Sequence, residues 1–329
     1  MSWPGAWEGT LPLREVEATF AALAAAITAH ERLLLVVPES ARGVNGWLAR
    51  SGARLERVRQ ITLPTDDVWA RDFGPITVQR GAQLALMDFT FNGWGGKYPA
   101  SNDTAISRSL QARGQLLPRL QTIPRVLEGG SIDSDGAGTL LTTRQCLLTP
   151  TRNPDMTEAD WERGLRDWFG CDRVIWLDGG RIMGDDTDGH VDMLARFAPG
   201  DTILHCTCDD PADPHYAWLG ELTAELAALR TRDGRPYRLL PLPIPAAIHD
   251  CDGRRLPASY ANFLIIDGAV LMPTYRAAAA DAHARAVIAS AFPDREVVGI
   301  DCLPLIDQSG SLHCVTMQLP RGVLPCRES

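Results

Sequence analysis

The apolar positions along this chain alternate between two periods. Over 15–32 they recur at helical spacing in an alanine-rich run, which predicts an amphipathic helix. Leu33-Leu34-Leu35-Val36-Val37-Pro38 reads as a buried strand, 41–51 as a short helix and 58–63 as a second strand. Segments 76–79 and 84–91 alternate at period two around Arg80-Gly81-Ala82-Gln83, the pattern of a hairpin.

The same order then recurs. A helix is predicted over 104–113, a strand over 122–127 and a hairpin around Asp135-Gly136-Ala137-Gly138. A helix over 157–169 follows, with Thr157 as its N-cap, then a strand over 173–177. Met193-Leu194-Ala195-Arg196-Phe197 reads as a strand paired with 202–207. Next come a helix over 215–230 and a strand over 237–243. A hairpin over 260–275 turns at Asp267-Gly268. A helix over 276–291 and strands over 296–300 and 314–319 complete the chain. About five units of helix, strand and hairpin result. Conspicuous polar residues (Asp72, Glu128, His190, Asn262 and Cys314) recur at roughly 50–70 residue intervals, which suggests repeats around an axis that each offer one loop to a shared centre. No linker interrupts the 329 residues, so one closed domain over 1–329 is expected.

Composition narrows the partners. A net charge of −9 argues against nucleic acid or an anionic membrane and suits a small cationic ligand. The first eight residues lack the features of a secretory signal, and the apolar run 20–27 is too short to span a bilayer. The eight cysteines form neither a zinc ladder nor a disulfide scaffold, the pattern of reduced thiols in a cytoplasmic protein.

Candidate chemistry concentrates in Gly184-Asp185-Asp186-Thr187-Asp188-Gly189-His190-Val191-Asp192. If His190 opens the strand, His190 and Asp192 share a face, so a proton carrier sits beside an anion. The plain alternative is a solvated acidic turn. Fitted to a calcium loop, the stretch puts Gly184 and Ala195 where acidic ligands belong, and no metal or organic cofactor is expected. Cys314 follows a glycine turn at the mouth of the last predicted strand. A lone cysteine is usually a small buried hydrophobe. As a nucleophile it needs a histidine nearby in space, and strand alternation points His313 away, leaving His190 as the partner. Arg71-Asp72 stands at a strand-to-turn corner, where adjacency suggests a local ion pair. Glu128 abuts a Gly-Gly turn. Asn92-Gly93-Trp94-Gly95-Gly96-Lys97-Tyr98 lacks phosphate-loop spacing and reads as a lid or wall.

Taken together, Trp69-Ala70-Arg71-Asp72-Phe73-Gly74-Pro75, the Trp94 loop, Glu128-Gly129-Gly130, the 184–192 stretch, Tyr260-Ala261-Asn262-Phe263 and His313-Cys314-Val315-Thr316-Met317-Gln318 resemble the agmatine deiminases, in that family's order, over roughly residues 65–320. The resemblance implies a pentein fold: an α/β propeller of five ββαβ blades in pseudo-fivefold arrangement, related to bacterial peptidyl-arginine deiminase. It implies hydrolysis of agmatine to N-carbamoylputrescine and ammonia, a step in putrescine formation, with Cys314 as nucleophile and His190 as acid and base. Asp72 and Asp192 would hold the guanidinium, and Glu128 would orient the histidine. Ser309 stands where a histidine is expected in bacterial members, which leaves the nucleophile in place but bears on the substrate. Other readings are deimination of arginine or peptidyl-arginine, amidino transfer, or a non-catalytic pentein that binds a partner. Self-association into a homo-oligomer stays open.

Two further expectations concern charge. Anions near Cys314 should raise its pKa above the free value of about 8.5, and a bound cation should offset that; a thiolate–imidazolium pair preformed in a minor fraction is the rival account. Asp186, four residues before His190, is placed to meet the substrate's ammonium, and Trp69, three before Asp72, to cover it by a cation–π contact.

Overall fold

The computed structural model describes residues 1–325. Its strands are β1 (Leu33–Val37), β2 (Val58–Thr62), β3 (Ile76–Arg80), β4 (Gln83–Thr90), β5 (Arg119–Val126), β6 (Ile132–Ser134), β7 (Thr139–Thr143), β8 (Arg173–Leu177), β9 (Ala195–Ala198), β10 (Thr202–Thr207), β11 (Arg238–Pro243), β12 (Leu264–Ile266), β13 (Ala269–Thr274) and β14 (Glu296–Asp301). They form five small sheets, one of two strands and four of three.

Each three-stranded sheet has the same plan. An antiparallel hairpin (β3–β4, β6–β7, β9–β10 or β12–β13) is followed by a helical crossover to a third strand parallel to the second. The helix is required because a parallel neighbour cannot be reached by a tight turn. This is the expected ββαβ unit. Asp267-Gly268 joins β12 to β13, with Gly268 at φ 74°, the left-handed value such a turn demands. The crossover helix Glu158–Phe169 begins at Thr157 with a full capping box, its side chain accepting from Asp160 N while Asp160 caps the Thr157 backbone. The helices Leu13–His30, His215–Ala228 and Ala278–Ala291 lie within two residues of their predicted bounds at each end. The Leu13–His30 helix buries Val16, Phe20, Leu23, Ala24 and Ile27 in the larger of two apolar clusters; the smaller is built around Phe89, Trp161 and Leu165.

One expected strand is not extended back to His190, and another does not form. His190–Asp192 does not extend β9; Val191–Met193 is a single 3₁₀ turn, and the ladder begins at Ala195. The reason lies upstream: Asp188 at φ 64° and the Thr187 hydroxyl accepting from His190 N fold the entry into a turn. The stretch 314–319 is also irregular. Val315 N bonds to Ser311 O, and the Thr316 hydroxyl to Leu312 O and His313 O, so these backbone groups are used in local turns, not in a ladder. The first sheet is accordingly only β1 and β2, with the N-terminus bridging β1 at Ser2–Val36.

The repeat explains the shared centre. Asp72, Glu128, Asp192 and Asn262 each lie in the segment entering a hairpin, just before β3, β6, β9 and β12. No helix among the described residues is long and apolar enough to cross a membrane. The seven described cysteines are unpaired, and Cys326 lies outside the described residues.

Candidate active site

The centre is held together by backbone and amide contacts between segments far apart in sequence. Arg71 N donates to Cys314 O at 3.0 Å, tying the first hairpin entry to the C-terminal turn. The Asn262 amide lies against the Cys314 thiol, Nδ2 at 3.3 Å and Oδ1 at 3.4 Å from Sγ, while Oδ1 also accepts from His313 N at 2.8 Å. Asp192 Oδ2 stands 4.0 Å from the same sulfur. Asp72 accepts from Gly130 N and from the Trp94 indole, both at 3.0 Å. The glycine-rich loop is thus a wall of the site. His190 lies between two carboxylates, Nδ1 at 3.8 Å from Asp72 and Nε2 at 3.7 Å from Glu128.

Gly130 is where these groups meet. A methyl built on it would lie 2.6 Å from His190 Nδ1, 2.9 Å from Asp72 Oδ1 and 3.1 Å from Asp192 Oδ2. Only the missing side chain leaves that space open.

Burial and charge set the protonation states. Burial first, then Asp192 and Asp72, push the Cys314 thiol well above its ordinary value. Sequence had supplied the anions but not the burial. Burial would lower His190, but Asp72 and its other neighbours prevail and hold it well above the ordinary range, as imidazolium. Burial raises Asp192 to about 7 against the pull of His190, and it raises Asp72 as well. Glu128 goes the other way. Burial raises it, but His190 and Arg152 outweigh that and keep it ionised.

Arg152 was missed from sequence. Its Nε donates to both Glu128 oxygens at 2.9 and 2.8 Å, and both side chains are fully buried. Its other nitrogens reach Asp188 Oδ2 at 2.7 Å and Thr187 O at 2.9 Å, so one guanidinium ties Glu128 to the loop that carries His190. Removing one partner of such a buried pair costs roughly 3–5 kcal/mol. The only signal was an arginine in a short polar segment, Thr151-Arg152-Asn153, whose partners lie 24–36 residues away.

Other expectations need correction. Arg71 and Asp72 do not pair; neighbours on the one-turn helix Ala70–Phe73 diverge, and Arg71 reaches Gln318 and Met317. His313 does not point away: without a strand to alternate along, its Nδ1 lies 2.7 Å from Asp192 Oδ2. Burial, then Arg196 and Arg71, keep His313 neutral, so Nδ1–H is the donor to the carboxylate. Asp186 is engaged by the loop opposite, Oδ1 at 3.1 Å from Lys97 Nζ and Oδ2 accepting from Tyr98 Oη at 2.6 Å; Lys97 also reaches Asp188 at 3.0 Å. Trp69 is buried against Gly310, with Trp7 beside it. Ser309, at φ 65°, accepts from Arg254 at 3.2 Å. Among the described residues, Glu128, Cys146 and His190 are the group whose ligand atoms come close enough to hold a metal, within 4.8 Å of one another.

A thiol, an imidazolium and three carboxylates in one buried centre can bind a planar cation and carry out acyl-type chemistry at its carbon. The family profile for Porphyromonas-type peptidyl-arginine deiminase matches residues 1–320. The chain belongs to that family. It is 34% identical over 333 residues to an agmatine deiminase of Pseudomonas aeruginosa, covering 93% of this chain and 88% of that one. A Campylobacter jejuni agmatine deiminase structure with substrate bound superposes with a TM-score of 0.83 at 34% identity, covering 92% and 86%. A Porphyromonas gingivalis structure, provisionally named an arginine deiminase, reaches 0.92 at 46%, covering 98% and 95%. The fold is therefore that of the penteins, as the sequence implied.

Two outcomes follow from this geometry. Gly130→Ala should leave the protein folded by circular dichroism and lower kcat/KM at least about a hundredfold, since the methyl displaces three polar side chains; wild-type rates would show that the space over Gly130 is not used. His313→Leu should raise KM and move the acid limb of kcat/KM to higher pH, because Asp192 loses a donor that favours its anion and must be ionised to bind a cation. His313→Asn, which can still donate, should restore most of both. A uniform loss of rate at unchanged pH dependence would reduce His313 to packing.

Proposed function

We propose that this enzyme, a hydrolase of the C–N bonds of linear amidines, takes agmatine as its substrate and yields N-carbamoylputrescine and ammonia. The observation that carries the reading is the pair Asp72 and Asp192, two buried carboxylates flanking a thiol, each with its charge disfavoured until a cation arrives. Agmatine deiminases at about one-third identity over nearly the whole chain support it.

In this reading the guanidinium docks between Asp72 and Asp192, which fix its plane and localise its charge. The incoming positive charge lowers the proton affinity of Cys314, whose proton leaves to solvent. The thiolate attacks the guanidinium carbon to give a tetrahedral adduct. His190 gives its proton to one nitrogen, the C–N bond breaks and ammonia departs. An S-alkylthiouronium remains on Cys314. Neutral His190, steadied by Glu128 and Arg152, takes a proton from water as it attacks the same carbon. The C–S bond then breaks to release N-carbamoylputrescine and the cysteine. Asn262 holds the sulfur against the Asp192 side of the site. The reaction feeds putrescine formation, in a cytoplasmic setting and with the chain acting as one catalytic domain over 1–329.

The far end of the substrate sets the choice of guanidine. Asp186 offers its charge to the agmatine ammonium at the cost of its contact with Lys97, and Trp69 backs the Gly310 turn beside the thiol. One observation favours a second reading. Lys97 at this position could meet the carboxylate of arginine or of an arginine peptide, in keeping with the family's peptidyl-arginine deiminase description.

Ammonia release from agmatine, arginine and a blocked arginine peptide tests both. Agmatine should be preferred by kcat/KM, and a preference for either arginine compound would establish the second reading. Cys314→Ala should fall below about a hundredth of wild-type turnover while binding agmatine within about tenfold, because the carboxylates supply the ground-state grip. Asp186→Asn should raise KM for agmatine severalfold, up to tenfold for a contact worth about 1.4 kcal/mol, and narrow its lead over arginine.

A further inference from the structure

Cys146 is a second buried thiol in the same centre, and the hydrolysis gives it no step. It sits on the one-turn helix Arg144–Leu147, capped by the Thr143 hydroxyl, whose own proton is donated to Gly189 O at 2.7 Å. That bond places the thiol beneath the His190 loop, with Thr187 O 3.9 Å from its sulfur.

We propose that Glu128, Cys146 and His190 form an inhibitory zinc site. Their ligand atoms already lie within 4.8 Å of one another, and all three side chains are buried. His190 Nε2 and Glu128 Oε2 are 3.7 Å apart, a separation that two ligands of a tetrahedral zinc at roughly 2.0–2.1 Å bonds can take. Neither ring nitrogen of His190 has a partner within hydrogen-bond distance, so becoming a ligand gives up only the longer-range attraction of its imidazolium to the carboxylates. A carboxylate, an imidazole and a thiolate are a zinc donor set, with the fourth position left for water. Arg152 does not prevent this. A carboxylate offers about four lone-pair sites, and an outer partner that fixes a ligand's orientation strengthens metal sites.

One of the three ligands, His190, borders a cavity. This cavity, of ≈ 210 Å³, is lined by His190, Gln145 and Gly189, with Asp185 and Asp188 at its wall, and carboxylates there raise the local concentration of a dication. Binding replaces the thiol proton of Cys146 and the imidazolium proton of His190, which pass to solvent. The ion takes Nε2, the nitrogen that faces Glu128, and leaves Nδ1 as the only protonated nitrogen of a metal-bound ring, so His190 no longer cycles between imidazolium and imidazole and turnover stops while Cys314 remains free. The site rests on the positions of these three side chains and not on which guanidine is the substrate.

Cobalt(II) as a spectroscopic stand-in for zinc tests the proposal without an activity readout. One equivalent added to the metal-free protein should give a thiolate-to-cobalt charge-transfer band in the near ultraviolet. The band should disappear in Cys146→Ala and persist in Cys314→Ala, and zinc should inhibit Cys146→Ala at least tenfold less strongly than wild type. A band lost in Cys314→Ala would put the metal on the nucleophile and overturn the proposal, as would the absence of any band. Should Cys146→Ala fail to fold, the Cys314→Ala spectrum alone decides between the two sulfurs.

Discussion

Everything in this centre depends on negative charge that the fold buries without a full counter-charge. Asp72, Glu128 and Asp192 converge on one imidazole and one thiol, and burial raises Asp72 and Asp192 against their ordinary tendency to ionise. An isolated carboxylate in such a place would take up a proton. His190 answers part of the charge by holding its own proton. The remainder is a standing demand for a cation of the right shape, and the thiol stays neutral until that cation comes.

The scaffold supports this arrangement by division of labour among the repeats. Four hairpin entries deliver Asp72, Glu128, His190 with Asp192, and Asn262, and the C-terminal turn delivers Cys314. Backbone contacts hold the reacting groups, as Gly130 N does for Asp72 and Arg71 N for the Cys314 carbonyl. Salt bridges hold the loops that carry them. Arg152 joins Glu128 to Asp188, Lys97 joins Asp188 to Asp186, and the same loop as Lys97 carries the Trp94 indole back to Asp72. The Arg152–Glu128 link is fully buried, while the Lys97 pairs are about one-third exposed and correspondingly weak. Movement of the Trp94 loop would therefore break the outer contacts first.

Much of this was legible in sequence because it follows from local rules. Asp267-Gly268 gave its turn, Thr157 its helix start, and the alternating hairpins their sheets. The five recurring polar positions pointed to one centre because each unit repeats the same connection. Failures came where one residue's role is set by partners distant in the chain. Period-two alternation would have run the strand back to His190 and put Cys314 at the mouth of another, but side-chain bonds from Thr187 and Thr316 draw both segments into turns, and with the strand went the orientation of His313. Arg152 looked like one more polar loop residue, and Cys146 like one more apolar cysteine. Nothing in their neighbours reveals that Arg152 grips Glu128 or that Cys146 borders His190.

The charge account is tested most directly by the pH dependence of Cys314 alkylation in the substrate-free enzyme, followed by mass spectrometry of the peptide that contains it. A thiol surrounded by buried carboxylates should react with iodoacetamide at a rate that keeps climbing above pH 9, with almost no thiolate at neutral pH. A rate that levels off at or below pH 7 would mean a thiolate stands ready without the substrate's charge, and would contradict the account.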